Sequence, residues 1–223
     1  MAGALVGKTS AFGAMAPPET DLLKGITFID AHSHPDEFYS TRTVTDFSSS
    51  FASIKKSGMS ASVFCAVGDN KQSGGFWEES FPGVMIQLEK AMKYVKSGQA
   101  KLVLKSSDIS SPLRPGGPVG AILGIEGANP LQDDLTRFDE VYLFGIRLIT
   151  LGHYKASNLT DVMTEPPKHG GLSALGRKAI ERMDKLGIVI DVAHASADAV
   201  KQIAETTRRP LVDSHTSVCP GNE

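Results

Sequence analysis

Two histidines near the start of the chain have the spacing with which a strand would present a pair of metal ligands. His32 and His34 follow a short apolar run, Ile26 to Ile29, that predicts a buried strand. Side chains at positions i and i+2 of a strand lie on the same face, so the two imidazoles are expected to lie together. Pro35 ends the strand because it has no backbone N–H. Taken alone, the motif is equally compatible with two surface histidines.

The other residues that could take part in chemistry stand at equivalent places further along the chain. Five of the six histidines, and one glutamate, lie at or just beyond the carboxyl ends of predicted strands. The set is His32, His34, Glu126, His153, His194 and His215. Each member alone has an ordinary alternative, such as a hydrogen-bonded core histidine or a carboxylate that caps a turn. Their joint placement favours a single site.

The residue types predict a metal centre. Neutral imidazole nitrogens and a carboxylate are ligands that zinc and similar divalent ions prefer. Four histidines and one glutamate exceed what one catalytic ion with an open position needs, so they suit two ions bridged by Glu126. Two ions about 3.5–4 Å apart can share a hydroxide and stabilise a hydrolytic transition state from both sides. Asp191 and Asp213 are candidates for orienting the ligand histidines.

Strands alternate with helices along the chain that must position these residues. Apolar runs predict strands at 26–29, 59–67, 119–125, 145–151, 188–192 and 210–212, a short extended segment at 101–104, and helices at 44–57, 84–96, 131–143, 172–186 and 196–206. The helix at 172–186 has the clearest apolar stripe, with Ser173 as its cap and Gly187 as its stop.

This alternation predicts a parallel α/β architecture that is buried on both faces. No Gly-x-Gly-x-x-Gly turn follows the first strand, so a dinucleotide-binding open sheet lacks support. Barrel enzymes build their sites at the carboxyl ends of several strands. We therefore predict a (β/α)8 TIM-type barrel that is C-terminally truncated here, with about six strands visible.

Composition excludes several classes of function. The 223 residues are 41% hydrophobic with a net charge of -2, which is ordinary for one globular core and argues against a nucleic-acid partner. No apolar run approaches the roughly 18–20 residues of a membrane span, so no transmembrane segment is predicted. Cys65 and Cys219 have the character of small buried hydrophobic residues, and whether they pair is open.

Residues 1–24 form a separate N-terminal segment, and residues 25–223 form the predicted barrel. The segment contains Ala14-Met15-Ala16 before Pro17-Pro18, which resembles a signal-peptide cleavage site without its basic beginning. It is interpreted either as the remnant of an export signal or as a flexible arm. Exported, periplasmic and cytoplasmic locations all stay open.

Several stretches together resemble a known family. They are residues 29–34, 124–127, 147–153, 158–161, 171–176, 187–196 and 213–217. In these stretches the sequence resembles the membrane (renal-type) dipeptidases of the amidohydrolase superfamily, in family order from residue 29 to the end. The resemblance implies a metal-dependent barrel that hydrolyses dipeptides with two zinc ions and a bridging hydroxide.

The resemblance also implies a role for each candidate residue. His32 and His34 become ligands of one zinc ion, His194 and His215 ligands of the other, and Glu126 the bridging carboxylate. His153 becomes a catalytic residue that does not bind metal but polarises the scissile carbonyl and stabilises the oxyanion. The implied partner is a small dipeptide, and a homodimer is compatible with the sequence.

The chain departs from the family at two points. His34 stands where the family usually has aspartate, so the first ion loses a negative ligand. The arginine that holds the substrate carboxylate and the catalytic aspartate are both expected after His215, and neither is present. We therefore expect a truncated portion that is inactive and aggregation-prone alone. The alternatives are another amidohydrolase acting on a different amide or ester, and a non-catalytic metal-binding remnant.

Overall fold

The computed structural model describes residues 26–37, 50–71, 77–109, 117–132 and 134–216. In chain order, the strands are β1 (Ile29–Ser33), β2 (Ala61–Val67), β3 (Asn70–Lys71), β4 (Trp77–Glu78), β5 (Ala100–Leu102), β6 (Val119–Glu126), β7 (Ile146–Thr150) and β8 (Val189–Asp191). The helices are α1 (Ser50–Ser57), α2 (Phe81–Lys96), α3 (Arg137–Phe144), α4 (Ala174–Leu186) and α5 (Ala197–Thr206). Short 3₁₀ turns lie at Pro35–Glu37, Ser106–Asp108 and Asn129–Leu131.

One parallel sheet organises the fold. Its strand order is β1-β2-β6-β7-β8, and β5 pairs with the first residues of β6, while β3 and β4 form a separate antiparallel ribbon. The last residue of β6, Glu126, pairs with Val67 at the end of β2 and with Thr150 at the end of β7. Thr150 in turn pairs with Asp191 at the end of β8. The carboxyl ends of these strands therefore form one continuous edge, as the sequence predicts.

The two faces of the sheet bury different clusters of apolar side chains. The larger cluster packs between the sheet and the helices, and includes Phe64, Leu88 and Ile180. The smaller cluster lies on the opposite face around Val63 and Cys65, beside a cavity of about 380 Å³. Consecutive residues of β2 enter different clusters because strand side chains alternate between faces. This double burial explains why the strands read as continuous apolar runs.

The helix boundaries follow from local chemistry. The Ser173 side chain accepts a hydrogen bond from the backbone N–H of Gly176 at the start of α4, and Gly187 ends that helix with φ of 81°. Ser196 caps α5 in the same way through Ala199. Both signals in α4 were predicted from sequence and are confirmed. The helix predicted at 131–143 begins only at Arg137, and a separate 3₁₀ turn at Asn129–Leu131 precedes it.

Two strand predictions need correction. The buried strand predicted at 26–29 is wrong: β1 begins at Ile29, where pairing with Ala61 starts, and Ile26 is 52% exposed. The predicted strand at 210–212 contributes a single bridge, Val212 to Asp191. Pro210 precedes that bridge and has no N–H to donate to a longer ladder.

Some predictions lie outside the described residues, namely the segment 1–24, the first part of the helix at 44–57, and Cys219. Cys65 is buried, as predicted. In the described ranges, no helix has the length and apolar character required to cross a membrane.

Candidate metal centre

Five predicted site residues, all histidines, converge on the sixth, the carboxylate of Glu126. Four histidine Nε2 atoms surround its Oε1 atom, at 3.1 Å for His194, 3.4 Å for His215, and 3.5 Å for both His32 and His153. His34 approaches the other oxygen, with 3.2 Å between Nε2 and Oε2. Every histidine predicted to belong to the site is therefore present there, and each presents the same ring nitrogen.

The shared edge of the sheet brings these residues together. Glu126 is the last residue of β6 and is buried. His32 lies within β1, whereas His34 stands just after that strand. Each of the other three histidines stands three residues after such a point: His153 after the end of β7, His194 after the end of β8, and His215 after the Val212 bridge. Because the strands are parallel and in register at their ends, residues up to 183 positions apart meet.

His194 has a backbone conformation that is uncommon outside glycine. Its φ is 64°, in the left-handed region that few residues other than glycine adopt. Met163 donates its backbone N–H to the carbonyl oxygen of His194 at 2.9 Å, and Val162 forms a bridge with Ala195. The loop after β7 thus supports the strained turn after β8. Such strain concentrates at functional sites, where surrounding structure maintains it.

Hydrogen bonds to Nδ1 determine which ring nitrogens face the centre. Nδ1 of His34 lies 2.8 Å from the backbone oxygen of Cys65, so it carries the proton. Nδ1 of His215 lies 2.9 Å from Oγ of Ser214, whose hydroxyl donates to Asp191 at 2.6 Å. In both rings the Nε2 lone pair is therefore directed toward the centre. Metal-binding histidines characteristically have this arrangement.

Asp191 was predicted to orient a ligand histidine, and it contacts His215 only through Ser214. Its carboxylate is buried and also accepts hydrogen bonds from the hydroxyl of Thr150 and the N–H of Ala193. These contacts place Asp191 in a chain of hydrogen bonds that ends at the His215 ring. Asp213, the other predicted orienting residue, is exposed.

Asp69 was missed by the sequence analysis. It follows β2 after Gly68, and its buried carboxylate lies 2.5 Å from Nδ1 of His153. Its second oxygen accepts the backbone N–H groups of Tyr154 and Lys155 at 2.9 and 2.8 Å. The strand-end rule that identified Glu126 applies equally to Asp69 and could have found it.

The surrounding rings control the charge of Glu126. Burial alone would raise the pKa of its carboxyl group, but contacts with His194, His32 and His34 and the electrostatic influence of the nearby His153 ring hold that pKa well below its usual range. Glu126 is therefore a carboxylate at neutral pH. Burial lowers the pKa of His215, and His32 acts in the same direction, so the neutral, ligating form of that ring is favoured.

Within the described residues, two sets of potential metal ligands have donor atoms within 4.8 Å of one another. One contains His32, Glu126 and His215, and the other contains Glu126, His153 and His194. Both share Glu126, which agrees with a carboxylate between two ions. They divide the histidines differently from the predicted sets, which pair His32 with His34 and His194 with His215. The imidazole and carboxylate donors fit zinc and similar ions.

Comparison with known proteins identifies the family. The family model for membrane dipeptidases, peptidase family M19, matches residues 20–220. The chain belongs to this family. The resemblance inferred from the sequence is thereby confirmed.

Curated relatives of this M19 chain include dipeptidases from fungi and mammals. It is 27% identical to dipeptidase tcpJ of Claviceps purpurea over 158 residues, which are 70% of this chain and 37% of the relative. It is 32% identical to dipeptidase 3 of Rattus norvegicus over 109 residues, which are 45% of this chain and 22% of the relative. The chain thus matches less than half the length of these relatives.

Solved structures share the fold. The probable dipeptidase PvdM of Pseudomonas aeruginosa aligns with a TM-score of 0.70 and 24% identity, over 88% of this chain and 54% of that one. A metallo peptidase of Rhodobacter sphaeroides aligns with a TM-score of 0.67 and 16% identity, over 86% of this chain and 66% of that one. The predicted fold class is confirmed, with a parallel half-barrel sheet in this M19 chain.

Proposed function

We propose that this chain carries the metal centre of a zinc-dependent dipeptidase. The observation that supports this most is the convergence of five histidine Nε2 atoms on the buried carboxylate of Glu126, at 3.1–3.5 Å. Packing of an apolar core does not require histidines around a carboxylate. Burying these polar groups without a cation between them would cost free energy. Membership of the membrane dipeptidase family supports the same conclusion.

The residues divide into ligands and a carbonyl-polarising group. His32 and His34 would hold one zinc ion, His194 and His215 the other, and Glu126 would bind both. When bound, two such ions would polarise the peptide carbonyl and activate water for its hydrolysis. Glu126 is well suited to a bridging position because it stays ionised while buried.

His153 is proposed to interact with the substrate rather than with the metal. Its Nδ1 atom is held by Asp69, and its Nε2 atom points into the centre. From there the ring can approach the oxygen of the scissile carbonyl and stabilise the charge that develops on it. The competing assignment makes His153 a ligand, because its Nε2 atom lies 3.5 Å from Glu126, as does that of His32.

The proposed substrates are small dipeptides. The Rhodobacter sphaeroides metallo peptidase with the same fold is liganded with a phosphinate mimic of the dipeptide L-Ala-D-Ala. A phosphinate has tetrahedral geometry, as does a carbonyl carbon under attack by water. That likeness supports peptide-bond hydrolysis in this chain as well.

Removal and restoration of metal tests the proposal. The purified protein in its full natural length is stripped with a chelator, and its hydrolysis of a panel of dipeptides is measured before and after zinc is added. We expect no hydrolysis without metal, recovery on titration with zinc, and saturation at two ions per chain by elemental analysis. Hydrolysis that persists without metal, or zinc-loaded protein that cleaves no dipeptide but cleaves another amide or ester, would contradict the assignment.

A further inference from the structure

A short segment of the loop after β7, residues 161–163, holds the turn that carries His194. The last residue of this segment donates its backbone N–H to the carbonyl oxygen of His194 at 2.9 Å, and the carbonyl oxygen of its first residue accepts the N–H of Ser196 at 3.1 Å. Between these two hydrogen bonds, Val162 forms an antiparallel bridge with Ala195. One segment therefore supports the uncommon backbone conformation of His194 on both sides.

The side chain of Asp161 in turn fixes this segment. Its carboxylate accepts the backbone N–H groups of Lys168 at 2.8 Å, His169 at 3.0 Å and Gly171 at 2.8 Å. Asp161 is 0% exposed, so water does not compete for these hydrogen bonds. One carboxylate thus ties the start of the segment to the far end of the loop.

Asp161 is ionised at neutral pH despite its burial. Burial by itself would raise the pKa of the Asp161 carboxyl group, but the N–H groups of Gly171, Lys168 and His169 hold that pKa below its usual value. An ionised carboxylate only accepts hydrogen bonds, so both oxygens are available to these donors. Its charge also strengthens each of these hydrogen bonds.

We propose that Asp161 is a positioning residue for His194: its buried carboxylate fixes residues 161–163, and these hold the His194 backbone in the left-handed conformation that directs Nε2 toward Glu126. That atom lies 3.1 Å from Oε1 of Glu126. Residues other than glycine favour different backbone conformations, so the turn should relax when its support is lost. The consequence for metal binding rests on the proposed dipeptidase metal centre, whereas the support of the turn does not.

The segment 161–163 packs directly against the end of β7. A Cβ atom on Gly152 would lie 2.4 Å from Cγ1 of Val162 and 3.1 Å from Cγ2 of Thr160, and both of these residues are buried. Glycine at this position leaves room for the close approach. The segment is therefore held against the same sheet edge that carries Glu126, and this edge sets its position relative to the centre.

Asp161→Asn is the informative substitution because it nearly preserves shape. Both carboxylate oxygens accept backbone N–H groups, so an amide NH₂ in either orientation faces a donor and breaks at least one hydrogen bond. Glu165→Gln is the matched control in the same loop. The Glu165 carboxylate accepts the backbone N–H of Ala156 at 3.0 Å and contacts Lys168, which both lie outside residues 161–163.

Hydrogen–deuterium exchange of the metal-free protein in its full natural length tests the support of the turn. We expect the amides of Met163 and Ser196 to be protected in the wild type and in Glu165→Gln. In Asp161→Asn they should exchange at least ~10-fold faster while the amides of α2 keep their protection, because local opening leaves remote elements closed. Equal acceleration in α2 would overturn the proposal. Unprotected amides of Met163 and Ser196 in the wild type would also overturn it, whether or not any variant folds.

Zinc affinity tests the consequence for the centre, and competition with a chelator of known affinity measures it. We expect Asp161→Asn to weaken zinc binding by ~10–100-fold, as the loss of an outer contact to a ligand does elsewhere. Glu165→Gln should leave the affinity unchanged. In a His194→Ala background, where the ring is absent, Asp161→Asn should cause no further loss.

The double-mutant cycle distinguishes positioning of His194 from general stabilisation. Equal losses of zinc affinity with and without the His194 ring would mean that Asp161 acts on general stability, which overturns the positioning role. Unchanged zinc affinity in Asp161→Asn would overturn it as well. If the wild type binds no zinc, the proposed function fails, and the exchange measurement still decides whether Asp161 supports the turn.

Discussion

The Nε2 atoms of His194 and His215 lie 2.8 Å apart, and both lie within 3.4 Å of the same oxygen of Glu126. Nδ1 of His215 already interacts with Ser214, so its proton is engaged away from the centre. Two ring nitrogens that face each other across this distance cannot both present lone pairs without something between them. A metal ion satisfies both lone pairs, and in the metal-free protein a neutral His194 ring can donate its Nε2–H to Nε2 of His215.

Acidification is expected to destabilise the metal-free protein through His215. Burial and the neighbouring His32 lower the pKa of this ring in the folded state, whereas the unfolded chain takes up the proton near pH 6.5. Below that pH the unfolded state binds more protons, so the free energy of unfolding should fall as the pH is lowered from about 6.5. Urea denaturation across this range measures the slope. An identical slope in His215→Asn would contradict the prediction.

Glu126→Gln should remove metal and activity together. The substitution keeps the shape of the side chain but removes the negative charge on which the histidines converge. We expect zinc content per chain to fall below the wild-type value and dipeptide hydrolysis to be lost with it, since hydroxide generation depends on both ions. Elemental analysis and a hydrolysis assay check both quantities. Glu205→Gln makes the same change on the exposed surface of α5 and should alter neither.

One result would contradict the two-ion interpretation of Glu126. If the wild type holds a single tightly bound zinc ion and Glu126→Gln holds it equally well, the carboxylate does not bridge two ions. The four histidines assigned as ligands would then need a different division.

His153→Ala separates the two roles open to this ring. If His153 stabilises the oxyanion, its removal should lower turnover by roughly 10²–10³, as the loss of one oxyanion donor does elsewhere. The metal content should stay unchanged. His169→Ala is the control, because His169 lies in the loop after β7 and contacts Ser157. Loss of zinc in His153→Ala would instead make it a ligand together with Glu126 and His194.

The clustering of the candidate residues could be predicted from the sequence because they share one simple rule of position. In a parallel sheet, every strand ends at the same edge, so a polar residue at the end of an apolar run indicates the site without knowledge of the strand order. The rule held for Glu126, whose pairing with Val67 and Thr150 aligns three strand ends. It was applied to histidines and to one glutamate, and so Asp69 was overlooked.

Contacts between distant residues could not be predicted in this way. The grouping of His32 with His215 joins the first and last described strand ends, and depends on how strongly the sheet curves. Curvature results from the packing of many side chains and leaves no local pattern. The exposed start of β1 was missed for a related reason, since an apolar run indicates burial but not where pairing with a neighbour begins.

Ser214→Ala should weaken metal binding without touching a ligand. Ser214 links Asp191 to Nδ1 of His215, and loss of such an outer contact typically costs 10–100-fold in metal affinity. Competition with a chelator of known affinity measures the change. Thr207→Val removes a comparable hydroxyl-to-carboxylate contact, with Asp184, away from the site and should leave the affinity unaltered. Equal effects of the two substitutions would show that Ser214 contributes only to general stability.

Gly68→Ala should disrupt the junction on which the site depends. The new Cβ atom would lie 1.8 Å from the backbone oxygen of Gly127, and this backbone contact has no flexible side chain to relieve it. Overpacking typically costs about 1–3 kcal/mol, so we expect the free energy of unfolding to fall by at least that much. Gly98→Ala is the control: its φ is 73°, but nothing lies within 4 Å, so only backbone strain of about 1–2 kcal/mol applies. Urea denaturation of the two variants compares their free energies of unfolding, and zinc content reports on the site.

The same substitution should also reach the metal centre. Because the Gly68 N–H donates to the carbonyl oxygen of Glu126 at 2.7 Å, the displacement should reduce metal binding in Gly68→Ala alone. Equal stability of both variants, with full zinc content, would mean that the ends of β2 and β6 can separate without disturbing Glu126.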